Sequence, residues 1–147
     1  MNKKKQIAMG LVLTTLVYSL AALAETLLLT NTSRILRILG WTHTWPVSAG
    51  VIVVMVLNIW LGYTLTDKYL SGYKLRFLNL ITWIPVAWGL NYVFWELFPI
   101  SDQDSPTAVV GLVLFGLWTL HEVLILVIDC ACSDQYVYVT DDEEPTE

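Results

Sequence analysis

Hydrophobic positions in this chain fall into four solid blocks rather than an alternating pattern. The blocks run from Gln6 to Leu29, Val47 to Thr66, Phe77 to Phe98 and Ala108 to Cys132. A helix needs roughly 20 mostly apolar residues to cross a bilayer, and each block has about that length. Barrel strands in outer membranes show ~10-residue alternating segments instead. In lipid every backbone N–H must also be satisfied within its own segment, which favours helices. Punctuation falls at the block edges: Thr44-Trp45-Pro46 opens the second, Ser71-Gly72 precedes the third, Pro99 ends the third and Ser105-Pro106 precedes the fourth. The pattern predicts an all-α fold, a polytopic bundle of four transmembrane helices over residues 1–132. Residues 133–147 are expected to form a flexible, acidic cytoplasmic tail.

Shorter features refine this frame. Ser33 to Gly40 reads as an interfacial helix, capped by Ser33 and ended by Gly40, with Arg34 and Arg37 one turn apart and Ile35, Leu36, Ile38 and Leu39 toward lipid. Trp41 and Trp45 form an outer aromatic belt, Tyr69 and Tyr73 an inner one. Lys3, Lys4, Lys5, Lys68, Lys74 and Arg76 would share one side of a four-span protein, which places both termini in the cytoplasm of a cell membrane. The first block has a second reading. Three lysines, an apolar stretch and Ala22-Leu23-Ala24 match a secretory signal with its cleavage site.

Composition agrees with a lipid environment: 56% of the 147 residues are hydrophobic and only 14% charged, against about 25% charged in soluble domains. Six of the 13 carboxylates lie in the last fourteen residues, so the body is nearly neutral and no basic nucleic-acid footprint exists. The expected partners are the lipid bilayer and other membrane subunits or further copies of the chain. Cys130 and Cys132 are not a C-x-x-C pair, but at a membrane edge they are candidates for lipidation. Asn31-Thr32-Ser33 is a glycosylation sequon.

Polar groups inside the blocks carry the functional information, because an ionisable residue at membrane depth costs on the order of 3 kcal/mol. The candidates for binding a ligand or proton are Glu25, Asn58, Asn91, Glu96, His121 and Glu122. A rise of 1.5 Å per residue puts Asn58, His121 and Glu122 near the midplane and Glu25 and Glu96 roughly 10 Å outward, with Asp129 at the inner interface in reach of water. Gly10, Thr14, Tyr18, Ala21 and Glu25 lie on one face of the first helix, as close helix packing requires. Glu25 either binds a proton or cation there or snorkels toward Arg34 or Arg37. No Lys or Arg lies inside a span to neutralise Glu122, so a hydrogen bond to Asn58 or Asn91 is expected. Together with His121 it makes a candidate proton relay, and a satisfied interhelical hydrogen bond needs the same residues. Pro85 should bend the third helix, where Trp88, Asn91, Tyr92 and Trp95 suit either a pocket for an apolar or cationic ligand or helix packing with an outer aromatic belt.

Catalytic motifs are lacking: there is no G-x-S-x-G, P-loop or H-E-x-x-H. His121 and Glu122 point ~100° apart, so no metal site is expected, nor any other cofactor. Trp83, Pro85 and Trp88 resemble part of the Trp-Pro-Trp pattern of microbial rhodopsins, but no lysine lies in a span to hold retinal. Ala22-Leu23-Ala24-Glu25 is similar to the glutamate site of small multidrug transporters, a resemblance of four residues that implies transport. Two function classes follow. The first is a non-catalytic accessory or structural subunit of a larger membrane assembly. The second is a small oligomeric proton- or cation-coupled transporter or channel using the intramembrane carboxylates.

Overall fold

The computed structural model describes residues 3–98 and 108–132. All four blocks are helical. The chain runs through α1 (Lys3–Thr30), α2 (Thr32–Leu39), α3 (Trp45–Leu70), a 3-10 turn (Lys74–Leu78), α4 (Asn79–Leu97) and α5 (Ala108–Ala131), with no strand among the described residues. Four of these segments are long and apolar enough to cross a membrane. The expected acidic tail at 133–147 lies outside the described residues.

Helix ends depart from the hydrophobic limits for local reasons. α1 begins at Lys3 rather than Gln6, because lysine is a good helix former and only the apolar run stops there. α3 takes in Trp45 and carries Pro46 in its first turn, where a missing N–H costs nothing. Gly72, at φ 78°, turns the chain, and a 3-10 turn then absorbs Phe77, so α4 starts at Asn79. Ser33 does not cap α2. The Thr32 hydroxyl donates back to the carbonyls of Leu28 and Leu29, each at 2.9 Å, and the helix starts one residue earlier. Gly40 does end α2, at φ 65°, with its N–H donated to the Leu36 carbonyl. Ile35 and Leu36 are half-buried while Ile38 and Leu39 are exposed.

α1 is the central helix and packs on α3, α4 and α5. Its expected stripe of Gly10, Thr14, Tyr18, Ala21 and Glu25 is buried throughout, and a second stripe, Thr15, Ser19, Ala22, Thr26 and Thr30, is buried beside it. α4 answers with Asn79, Trp83, Ala87 and Asn91, spaced by four. A polar ladder joins the two helices: Thr14 Oγ1 donates to Asn79 Oδ1 at 2.9 Å, Thr15 and Thr82 hydroxyls meet at 2.9 Å, and Ser19 Oγ reaches the Trp83 carbonyl at 3.0 Å. Such bonds contribute about 0.6 kcal/mol each in membranes. α4 stays continuous across Pro85.

The remaining core is Tyr18, Ala22, Trp83, Ala87, Ile125, Ile128 and Cys132. Large apolar side chains such as Ile52, Val56, Leu112 and Phe115 face outward. That inversion suits a hydrocarbon solvent and would be an interaction patch in water.

Candidate functional site

Glu25 comes off the buried stripe of α1 and His121 off the inner face of α5. His121 Nε2 and Glu25 Oε2 lie 2.8 Å apart, and both side chains are 0% exposed. The outward reading of Glu25, toward Arg34 or Arg37, is therefore corrected: its carboxyl meets an imidazole inside the bundle. The expected separation of about 10 Å in depth is corrected too. It assumed that every block is centred on the bilayer, whereas α1 runs on past the C-terminal end of α3, with Gly10 against Tyr69 and Leu70.

Trp83 organises the surroundings. Its indole N–H donates to Glu122 Oε1 at 3.1 Å. Its ring lies 5.5 Å from the His121 ring at 36°, and 5.7 Å from that of Trp118 in an edge-on contact. Adjacent residues on α5 diverge by ~100°, so a single broad side chain from α4 can touch both His121 and Glu122. The amide partner expected for Glu122, Asn58 or Asn91, is thus replaced by an indole. Asn91 instead donates Nδ2 to the Ala87 carbonyl at 2.9 Å. Asn58 is buried on α3, and Glu96 is exposed on α4.

A carboxyl group and an imidazole in direct contact can hold one proton between them. Glu25 Oε1 and His121 Nδ1 have no hydrogen-bond partner among the described residues, which leaves each ring or carboxyl one free position for a second bond. No described group of three or more His, Cys, Asp or Glu could hold a metal ion.

One residue along from Glu25, Thr26 borders a cleft of about 380 Å³. Trp88, Tyr92 and Trp95 line it from α4, Phe115 and Trp118 from α5, and Asn91 lies among them. The cleft exists because α5 leaves the bundle in its first half: no residue from Val109 to Leu120 is buried. The aromatic residues of α4 thus line a cleft, where the sequence left open a pocket or packing with an outer aromatic belt.

No family model, curated protein or solved structure matches this chain. Its function therefore has to be read from the geometry.

Several polar residues have different surroundings from those expected. Asp129, expected to reach water, is 0% exposed. It feels the positive charge of Arg76, itself buried in the 3-10 turn with Nη1 donating to the Cys132 carbonyl at 3.4 Å. Trp83, Trp118 and Arg76 were not legible as site residues. The strict spacing of Asn79, Trp83, Ala87 and Asn91 was the available signal for Trp83.

The possible modification residues differ from one another. Asn31 Nδ2, the atom a glycan would occupy, donates to the Leu27 carbonyl at 3.0 Å. Cys130 is exposed and Cys132 buried. Burial, then the charges of Asp67 and Asp129, push the Cys132 thiol up, against a smaller opposing effect of Arg76. Thiolate is the reactive form, so Cys130 should be alkylated by maleimide at pH 8 well before Cys132. Peptide mass spectrometry of the folded protein in mild detergent reads this; equal labelling would contradict the packing of the α5 terminus.

Proposed function

We propose that this chain is a small proton-coupled membrane carrier or channel in which Glu25 and His121 hold and pass the proton. The observation that supports it is the direct contact of these two groups at 2.8 Å with both fully buried. Titratable groups in contact within an apolar interior are the arrangement that proton transfer uses. Had Glu25 and His121 pointed away from the bundle, a partner subunit would have been needed to satisfy them. They meet one another instead, through His121 Nε2 and Glu25 Oε2. The cleft beside Thr26 gives the pair a neighbouring space for cargo.

A second reading, an accessory subunit of a larger assembly, is favoured by the outward half of α5, where Val109 to Leu120 has no buried residue and a neighbouring helix has room to pack. In either reading Lys3, Lys68, Lys74 and Arg76 mark the end that carries the basic residues, and the positive-inside rule puts that end in the cytoplasm.

Reconstitution tests the first reading. Liposomes containing the purified protein and an internal pH dye should take up protons under an imposed gradient. Glu25→Gln, which keeps the size and a hydrogen bond, should reduce uptake to the empty-liposome rate, while Glu96→Gln should leave it unchanged. Silence of the parent, or full activity of Glu25→Gln, removes the proton-coupled reading. Stoichiometric co-purification of another membrane protein with a silent parent would support the subunit.

A further inference from the structure

We propose that the basic end of the bundle is a docking surface for the chain's own acidic segment, residues 133–147. The inference needs neither the Glu25–His121 pair nor transport, and it holds whichever side of a membrane that end faces.

Three parts of the chain build the surface. α1 contributes Lys3, Lys4 and Lys5, the C-terminal end of α3 contributes Lys68, and the 3-10 turn contributes Lys74 and Arg76. Packing brings them together. Gly10 of α1 lies against Tyr69 and Leu70 of α3, and Lys3 Nζ stands 5.9 Å from the centre of the Tyr73 ring. The lysines are exposed and Arg76 is buried. Among the described residues two carboxyls belong to this end. Asp129 is fully buried within reach of the charge of Arg76. That leaves the half-buried Asp67 against the exposed ammonium groups. A surface with such an excess of one sign attracts an anionic partner.

Charge and position together name the occupant. Residues 133–147 hold six of the chain's 13 carboxylates and neither Lys nor Arg, and Asp141, Asp142, Glu143 and Glu144 are contiguous. The segment also starts at the right place. α5 ends at Ala131, and the next carbonyl, that of Cys132, accepts from Arg76 Nη1 at 3.4 Å. The segment therefore follows from a point held against the turn that carries Lys74. Asp141 lies nine residues past Cys132, up to about 30 Å of chain. Packed helices are spaced by about 8–10 Å, so the acidic run reaches across the end of the bundle.

Tethering makes the contact effective. A single exposed ion pair is weak, but a short tether holds the acidic run beside the lysines at an effective concentration of order millimolar, and several pairs then act together. An anionic lipid headgroup offers the same charge without the tether.

Acetylation footprinting of lysine, read by peptide mass spectrometry, tests the assignment on the full chain in phosphatidylcholine nanodiscs. A variant carrying Asp141→Asn, Asp142→Asn, Glu143→Gln and Glu144→Gln keeps the length of the segment and removes its main charge. At low salt Lys3, Lys5, Lys68 and Lys74 should react about tenfold faster in the variant than in the parent, as for a few weak ion pairs acting together. At 1 M salt, where the Debye length falls to about 3 Å, the two proteins should react alike. A carbodiimide, which joins a carboxyl to a touching amine as an amide, should link the 141–144 run to these lysines in the parent. Reconstitution from a mixture of ordinary and isotope-labelled protein should give links within one chain. Equal acetylation of parent and variant at low salt overturns the proposal, and so does a parent that forms no such links. Links between chains would assign the segment to a second copy. A difference in acetylation that disappears when a fifth of the lipid is phosphatidylglycerol would assign the lysines to anionic lipid. Either result also overturns it.

Discussion

Replacing His121 by Leu should lower the stability of the folded protein by about 3 kcal/mol, measured as unfolding in mild detergent followed by tryptophan fluorescence. The variant leaves Glu25 fully buried with neither carboxyl oxygen bonded to protein. Removing one member of a buried pair costs about 3–5 kcal/mol. Ordinary hydrogen bonds between membrane helices average about 0.6 kcal/mol. The larger figure governs here because the loss is the stranding of an ionisable group, and the membrane average argues for the low end of that range. The double variant Glu25→Leu, His121→Leu should recover most of the loss, since hydrophobic replacement of a whole buried pair is often neutral or better. A His121→Leu protein as stable as the parent would mean that the pair does not hold α1 to α5. A double variant no better than the single one would mean that the leucines do not fit.

Gly10→Ala should cost about 1–3 kcal/mol by forcing apart packed helices. A methyl group at Gly10 would run into Tyr69 Cβ, an atom fixed to the backbone of α3, with Leu70 close behind. Nothing there can swing aside, so α1 and α3 must separate along their whole contact. Gly62 is a second tight case. Its added Cβ would lie 2.6 Å from Cε1 of Tyr18, a side-chain ring fully buried in the core, rather than against an atom fixed to the backbone. Gly89, Gly111 and Gly116 face open space, and their alanine variants should stay within about 0.5 kcal/mol of the parent. The same detergent unfolding series ranks all five. A loss at Gly111 comparable with that at Gly10 would point to a packed neighbour against α5.

The two variants probe features of unequal legibility. The small residue at Gly10 belongs to a one-face stripe readable from spacings of four, four, three and four, and burial of that stripe follows from helix geometry. The partner of His121 was not readable. Periodicity assigns a residue to a face of its own helix but says nothing of which other helix that face meets, or at what level. Glu122 illustrates the cost: an amide was the natural expectation for a buried carboxyl, and the indole of Trp83 took the place because α4 turns that ring toward α5. Asp129 shows the same effect near an end. Its position along α5 suggested contact with water, and it is 0% exposed within reach of the charge of Arg76 from the 3-10 turn.

By itself the sequence determined the secondary structure, the count of apolar helices and the buried face of α1, because these depend on local hydrogen bonding and on which side chains hydrocarbon tolerates. Tertiary structure alone decided that Glu25 meets His121, that Trp83 stands between His121 and Glu122, and that α5 splays to open an aromatic cleft. Those outcomes depend on the stagger and rotation of one helix against another. Packing across the interfaces sets both quantities, and no residue carries them alone.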